Sequence, residues 1–340
     1  MKARALLVDR RRGESVRQEL VAQQLLRTDL AIREEGERVV FPLRPGTDVR
    51  PDWGEVADRD FDLRAADGPA TFQDLLAWPA AERERLPRSF DVVGDIVLVR
   101  LPPDLESRRG EVGDALLRFV PGARLVGLDR GVHGAERRRS VERIAGDGPW
   151  TTRHRENHLE FDVDLERAYF SPRLAREHAR VAAEVRPGDR VYDLCCGVGP
   201  FAVTIARDGR ARSIVAVDVN PAAIDLLRRT LGRYPFGDRV VPRAQALELF
   251  VPSAPPVERV VLNLPHEGIK YAASVARLVA PGGRLTYYEV LRRDEIAGRG
   301  AVVERTLSAS GAFAMSELRV VHPYSPSSDL VAVAVDRRPE

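Results

Sequence analysis

Lysine is almost missing from this 340-residue sequence: Lys2 and Lys270 are its only examples, so nearly all of the 53 Lys and Arg positions are arginine. Such a bias fits a GC-rich coding sequence. It equally fits recognition of phosphate and base edges, which arginine's planar fork of donors serves well. The formal net charge of +2 does not decide between them, although Arg137, Arg138, Arg139 and Arg143 cluster. Cysteine is scarce too. Cys195 and Cys196 are adjacent, which excludes the usual structural disulfide and a CxxC metal site. No Cys/His set has zinc spacing, so no metal is expected. No apolar run approaches the ~18 residues that span a membrane. The basic N-terminus MKARALLVDRRRGE carries only about five apolar residues in a row, too few for a secretory signal. A cytoplasmic protein with no membrane partner is the expectation.

What is present reads as an ordinary globular chain, 44% hydrophobic and 31% charged, too long for one core. Residues 1–45 form a small α/β module: a strand over 5–8, a helix over 14–26 and a strand over 39–43. Residues 46–87, with Pro51, Gly54, Pro69, Pro79 and Pro87 among many charges, read as a linker with a short helix near 72–78. A second module spans 88–165. It has a strand pair over 91–101 broken at Gly94-Asp95, a helix over 102–119 and further strands to 163. From 166 to 340, short apolar strands alternate with amphipathic helices (172–185, 201–207, 221–231, 269–279), the pattern of a parallel sheet covered on both faces. The fold class is therefore α/β, a C-terminal Rossmann-like sheet with two smaller N-terminal α/β modules. Repeats and low-complexity tracts are missing.

Three motifs carry chemistry. In VYDLCCGVGPF (191–201) a buried strand ends near Asp193, and a loop with Gly197 and Gly199 enters a helix. Glycines there let a backbone pass close to a ligand at a helix N-terminus. No Gly-Lys-Ser/Thr follows, so this is not a nucleotide P-loop, and the spacing is not GxGxxG. In VAVDVNP (215–221), Asp218 ends the next strand about 20 residues on, where an acid accepts from ribose hydroxyls. In VLNLPHEG (261–268), a strand ends in Asn263-Leu264-Pro265. Asn263 brings both a donor and an acceptor to the sheet edge, and Pro265 holds Leu264 extended. His154 and His178 read as surface or hydrogen-bonding histidines.

Together these motifs resemble the class I S-adenosylmethionine-dependent methyltransferases, and more narrowly the archaeal and eukaryotic tRNA (guanine-37-N1)-methyltransferases. The stretches FDVVGDIVLVRLP (90–102), GAERRRSVERIAG (134–146), HRENHLEFDVDLERAYFSPRLAREHARV (154–181) and the N-terminal module are similar to that family as well. The resemblance covers most of residues 1–335, apart from the linker. It implies S-adenosylmethionine as cofactor, held by Asp193, Gly197, Val198, Gly199, Pro200, Phe201, Asp218, Val219, Asn220, Gln245 and Asn263. It implies tRNA as partner, with the N-terminal module at the elbow and the middle domain on the anticodon stem-loop. A monomer is expected, since one chain holds all the parts.

The chemistry implied is methylation of guanosine 37 at N1, after the base has flipped out of the loop. N1 carries a proton, and the family's base, four residues after the arginine of the SPR stretch, falls on Glu177. An arginine stabilises charge developing on O6. Family spacing points to Arg137, with Arg139 as neighbour if the register slips. Arg139, Arg173, Asn263, Leu264 and Pro265 complete the substrate side, Asn263 orienting the base and Pro265 shaping its pocket. The sequence departs from the family at Gln245, where an acid that reads the adenine amino group is usual; Glu248 is a second candidate. Cys195-Cys196 replace a bulkier pair. Two other readings stand beside this one. The first is a wybutosine-pathway enzyme, transferring an aminocarboxypropyl group or methylating the tricyclic base at the same position. The second is a non-catalytic tRNA-binding protein of the same fold.

Overall fold

The computed structural model describes residues 1–63, 69–134, 136, 138–307 and 312–339. They divide into two compact units, Met1–Asp74 and Leu75–Glu340.

The first unit holds β1 (Lys2–Asp9), α1 (Gly13–Ala22), β2 (Arg33–Glu35), β3 (Arg38–Pro42) and β4 (Glu55–Asp60), with sheet order β2-β3-β1-β4. β1 is apolar on both faces. Leu6 and Val8 join Val16 and Leu20 of α1, while Ala5 and Leu7 face Leu30 and Phe61. The segment 46–87 is therefore not all linker. β4 pairs antiparallel with β1, Ala5 opposite Ala57, and Trp53 is buried in the core of this unit. Its mixed charge disguised an edge strand, whose solvent-facing positions tolerate polar residues. Residues 72–75 form one 3-10 turn in place of the expected helix over 72–78.

The second unit begins with the one-turn α2 (Ala80–Arg83). A four-stranded sheet follows, β5 (Asp91–Val93), β6 (Ile96–Val99), β7 (Leu125–His133) and β8 (Arg138–Gly146) in that order, with α3 (Arg109–Phe119) between β6 and β7. Next comes the hairpin β9 (Thr151–Glu156) and β10 (Leu159–Asp164), turning through Asn157 and His158 at positive φ.

The remaining elements are α4 (Ala175–Glu184), β11 (Arg190–Leu194), α5 (Pro200–Asp208), β12 (Ser213–Asp218), α6 (Pro221–Leu231), β13 (Val240–Ala244), the one-turn α7 (Leu247–Phe250), β14 (Val257–Leu262), α8 (Gly268–Ala276), β15 (Val279–Arg292), α9 (Arg299–Leu307), β16 (Phe313–Pro323) and β17 (Ser328–Arg337). Seven strands make one sheet in the order β13-β12-β11-β14-β15-β17-β16. The first five are parallel; β17 runs antiparallel to β15 and β16. The order reverses at β11, so a crevice opens beside its carboxyl end. The division expected at 165 falls inside this unit. The β9–β10 hairpin belongs with the large sheet, because the Asp162 and Glu160 amides donate to Thr230 Oγ1 and Tyr234 OH at and just beyond α6. Among the described residues no helix is long and apolar enough to cross a membrane.

Candidate functional site

At the carboxyl edge of the parallel strands lies a cavity of about 760 Å³. Its floor is the loop after β11. The backbone turns through positive φ at Cys195, Gly197 and Gly199. The Gly199 amide donates back to Cys196 O (2.9 Å), and the Cys196 amide to Val217 O (3.0 Å). A Cβ on Gly199 would stand 2.4 Å from Leu227, so this glycine admits α6 as well as the turn. Pro200 then opens α5, its fixed φ suiting the first helical position.

Asp218 ends β12 with both oxygens in use: Oδ2 accepts from the Gly197 amide at 2.7 Å and Oδ1 from the Asn220 amide at 2.8 Å. Burial raises its carboxyl above the ordinary range, against the pull of these two bonds. Asn220 caps α6 through Oδ1 and donates Nδ2 to Arg167 O, so it fixes the loop that presents Val219 and Asp218. Asp193 is fully buried beneath the glycine loop. Its Oδ2 accepts from the Ala202 amide at 3.0 Å, while Oδ1 has no partner. Burial pushes this carboxyl up to about 7.

Asn263 follows β14 and lines the cavity, with its Oδ1 buried and unpartnered. The loop is anchored on both sides: the Asn263 amide donates to Leu194 O and Pro265 O accepts from the Val290 amide. Leu264 and Pro265 line the same wall, and Gln245 and Glu248 lie at the β13 end. Glu248 is engaged with the Tyr271 hydroxyl at 2.6 Å, which leaves Gln245 as the better placed of the two polar candidates.

Gly197, Val198, Pro200, Asp218, Val219, Asn220, Gln245, Asn263, Leu264, Pro265, Arg139 and Arg173 thus come together around one cavity. Asp193, Gly199 and Phe201 stand behind the loop, outside the lining. Arg137 lies outside the described residues. Arg139 is 5% exposed. Its Nη2 donates to Phe170 O (3.1 Å), its Nη1 lies 3.5 Å from Asp129, and Nε and Nη1 make no hydrogen bond. Arg173 Nε donates to Asp91 at 2.7 Å.

Glu177 is not on the cavity wall. Its Oε1 accepts from the Tyr288 hydroxyl (2.8 Å) and Arg180 (3.0 Å), and its Oε2 from Arg319 (2.5 Å). Burial opposes its ionisation, but these bonds and the Arg180 charge outweigh it and hold the carboxyl below its usual range. The next residue, His178, does line the cavity and is buried, not at the surface; His154 is buried as well. Tyr288 and Arg319 escaped the sequence reading, because nothing local marks a side chain whose partner lies 111 or 142 residues away, and Asp91 escaped it with its partner Arg173 lying 82 residues on. Tyr169 sits inside the AYFSPR stretch, and its ring lies under Arg139, 5.2 Å from the guanidinium carbon.

The arrangement fits an adenosyl ligand. A glycine loop brings backbone against the cavity floor, an acid ends the neighbouring strand, and the buried Asn263 Oδ1 waits for an N–H donor. Residues 152–310 match the TRM5/TYW2 methyltransferase domain, 5–49 the tRNA methyltransferase 5 N-terminal domain and 72–149 the TYW2 N-terminal domain. The chain is 30% identical to the tRNA (guanine(37)-N(1))-methyltransferase Trm5b of Pyrococcus abyssi, over 84% of this chain and 83% of that one. The chain belongs to the Trm5 methyltransferase family. Similarity to the Methanocaldococcus jannaschii Trm5b is 27% identity over 96% of this chain and 97% of the relative. The crystal structure of the P. abyssi protein matches with a TM-score of 0.73 at 26% identity, covering 98% of this chain and 99% of that one. A complex of aTrm5 with tRNALeu matches at 0.70 with the same identity and coverage.

Proposed function

We propose that this protein transfers a methyl group from S-adenosylmethionine to N1 of guanosine 37 in tRNA. The observation that carries the reading is the cavity wall shared by the Gly197 loop, Asp218 and Asn263, on a sheet whose family is a tRNA methyltransferase family. Asp218 would take the ribose hydroxyls on lone pairs left by its two backbone bonds. Val219, 43% exposed beside it, would cover the adenine, and Gln245 would accept from the adenine amino group. When bound, the cofactor supplies an electrophilic methyl on a positively charged sulfur.

The chain's own groups do the rest. Asn263 orients the guanine edge, with Leu264 and Pro265 shaping its slot. Arg139 brings Nε and Nη1, neither of which makes a hydrogen bond, and these suit the negative charge growing on O6; Arg137 is the family's position for this role. Glu177 takes the N1 proton. In its favour, the carboxyl is held ionised, and Leu174, just before this helix, and His178, within it, line the cavity. To act, it must exchange the Arg319 and Tyr288 contacts for the guanine N–H. In this reading the N-terminal module meets the tRNA elbow, the middle domain holds the anticodon stem-loop, and the chain acts as a monomer.

The test is transfer of label from S-adenosylmethionine to unmodified tRNA transcripts with guanosine or adenosine at position 37. Label appearing as 1-methylguanosine only with guanosine 37 is expected. Bound cofactor without transfer would instead favour a wybutosine-pathway enzyme, a reading that the 72–149 match to the TYW2 N-terminal domain keeps in view.

A further inference from the structure

Glu177 is buried, and groups from three elements hold its two oxygens. Oε1 accepts from the Tyr288 hydroxyl on β15 (2.8 Å) and from Arg180 (3.0 Å), one turn further along α4. Oε2 accepts from Arg319 Nη2 on β16 at 2.5 Å. Two more carboxylates stand behind these arginines. Glu184 and Glu317 both accept from Arg180, and Glu317 also accepts from Arg319 Nε at 2.9 Å. Bonds between full charges are the strong ones, so this set fixes the Glu177 carboxylate where it does not reach the cavity wall.

The partners differ in how readily they can let go. The Tyr288 side chain is fully buried, its ring 5.5 Å from that of Phe201, and Arg180 shares a helix with Glu177. Arg319 is partly exposed, at 32% of its side chain, and stands on the edge strand of the sheet. Glu317 already holds its Nε, so the guanidinium keeps a charged partner when Glu177 leaves. The strand then shifts register between Val320 and His322. Beyond that shift, His322 and Tyr324 line the cavity, and the Tyr324 hydroxyl lies 3.0 Å from Nε2 of His266, the residue after Pro265. β16 thus carries both the contact that restrains Glu177 and part of the wall that the target base must meet.

We propose that Arg319 is a positioning residue that latches Glu177 away from the cavity until RNA seated against the His322–Tyr324 end of β16 draws its guanidinium back onto Glu317. Arg319 touches no ligand in this scheme and acts only through Glu177. The inference rests on the reading of Glu177 as the base, and it adds how that base is kept back before the correct RNA arrives.

Single-turnover transfer to the guanosine-37 transcript, at saturating tRNA and over a range of pH, tests it on the full chain. Breaking a hydrogen bond between charged groups costs roughly ten-fold in an equilibrium, so Arg319→Leu should transfer about ten-fold faster than wild type at neutral pH. Arg319 is also one of the groups that oppose the effect of burial on the Glu177 carboxyl. Its removal should move the acid limb of the rate to higher pH, which a merely structural residue would not do. Arg319→Lys, which keeps the charge but not the fork, should fall between the two proteins in both respects and carries the test if Arg319→Leu does not fold. In a Glu177→Gln background, Arg319→Leu should change nothing. Calorimetry with S-adenosylhomocysteine should give wild-type affinity throughout and so report an intact fold. A rate at or below wild type with that affinity intact, or an acid limb that stays in place, overturns the inference while the base reading stands. Unchanged transfer in Glu177→Gln overturns both.

Discussion

Asp193→Asn isolates the most strained ionisation beneath the glycine loop. The carboxyl is fully buried with one oxygen unpartnered, and it titrates at about 7 in the folded chain against an ordinary 3.8. The native state therefore holds this proton more tightly than the unfolded chain does. Between those two values the unfolded state binds fewer protons, so stability falls as pH rises. Over the whole window the loss is roughly 4 kcal/mol, of which about 2.5 kcal/mol falls between pH 5 and 7.5. Asparagine keeps the acceptor for the Ala202 amide and removes the charge, so Asp193→Asn should lack this slope. Urea unfolding at a series of pH values, followed by circular dichroism, gives the difference between the two proteins, in which other titrating groups cancel. The gap should move by roughly 2.5 kcal/mol in favour of the variant from pH 5 to 7.5. The variant should also lose affinity for S-adenosylmethionine, because a cationic ligand above an ionised Asp193 offsets its burial. Parallel curves across this range would refute the reasoning.

Four further outcomes are expected. Glu177→Gln should bind cofactor and tRNA as wild type does but lose at least 100-fold in single-turnover methyl transfer, the scale of general-base assistance; unchanged transfer would remove Glu177 from the role. Gly199→Ala forces a Cβ to 2.4 Å from Leu227 at φ +78, so a drop of about 2 kcal/mol in stability and weaker cofactor binding should follow, read by melting and calorimetry. Removing residues 1–74, the whole first unit, should weaken tRNA binding by filter retention while calorimetry finds cofactor affinity unchanged; equal loss of both would make the unit part of the catalytic core. Affinity for tRNA should fall steeply as salt rises from 50 to 200 mM, by about 10³-fold or more if six phosphates are contacted.

Legibility in the sequence followed the range of the forces involved. The strand-loop-helix at 191–201 was plain because its pattern is local: a buried strand, two glycines at positive φ and a proline at the first helical position. α6 was read at its observed bounds, since Asn220-Pro221 is a cap written in the sequence. β16 and β17 were not read. Bulges near Met315 and Val320 break the two-residue alternation of β16, and β17 is buried on both faces, so it shows no alternation to read. β4 was hidden because an edge strand of EVADRD composition looks like charged loop. Of the site, Asp218 and Asn263 announced themselves by ending apolar strands. The partners that decide what Glu177 does came from Tyr288 on β15 and Arg319 on β16, 111 and 142 residues away, and no local spacing predicts such pairs.

The distribution of unsatisfied polar atoms ties these observations together. An unpaired buried donor or acceptor costs about 1–3 kcal/mol, so folded chains rarely keep several. Of ten such atoms among the described residues, Arg139 Nε and Nη1, His178 Nε2 and Asn263 Oδ1 are buried without a hydrogen bond and belong to residues around one cavity, and the other six lie outside its lining. Arg139 brings donors and Asn263 Oδ1 an acceptor. Glu177 is the opposite case, saturated by three partners and turned away from that space. With Glu177 as the proposed base, proton removal would require the RNA to displace both Arg319 and Tyr288, which would couple the chemistry to recognition of the correct base.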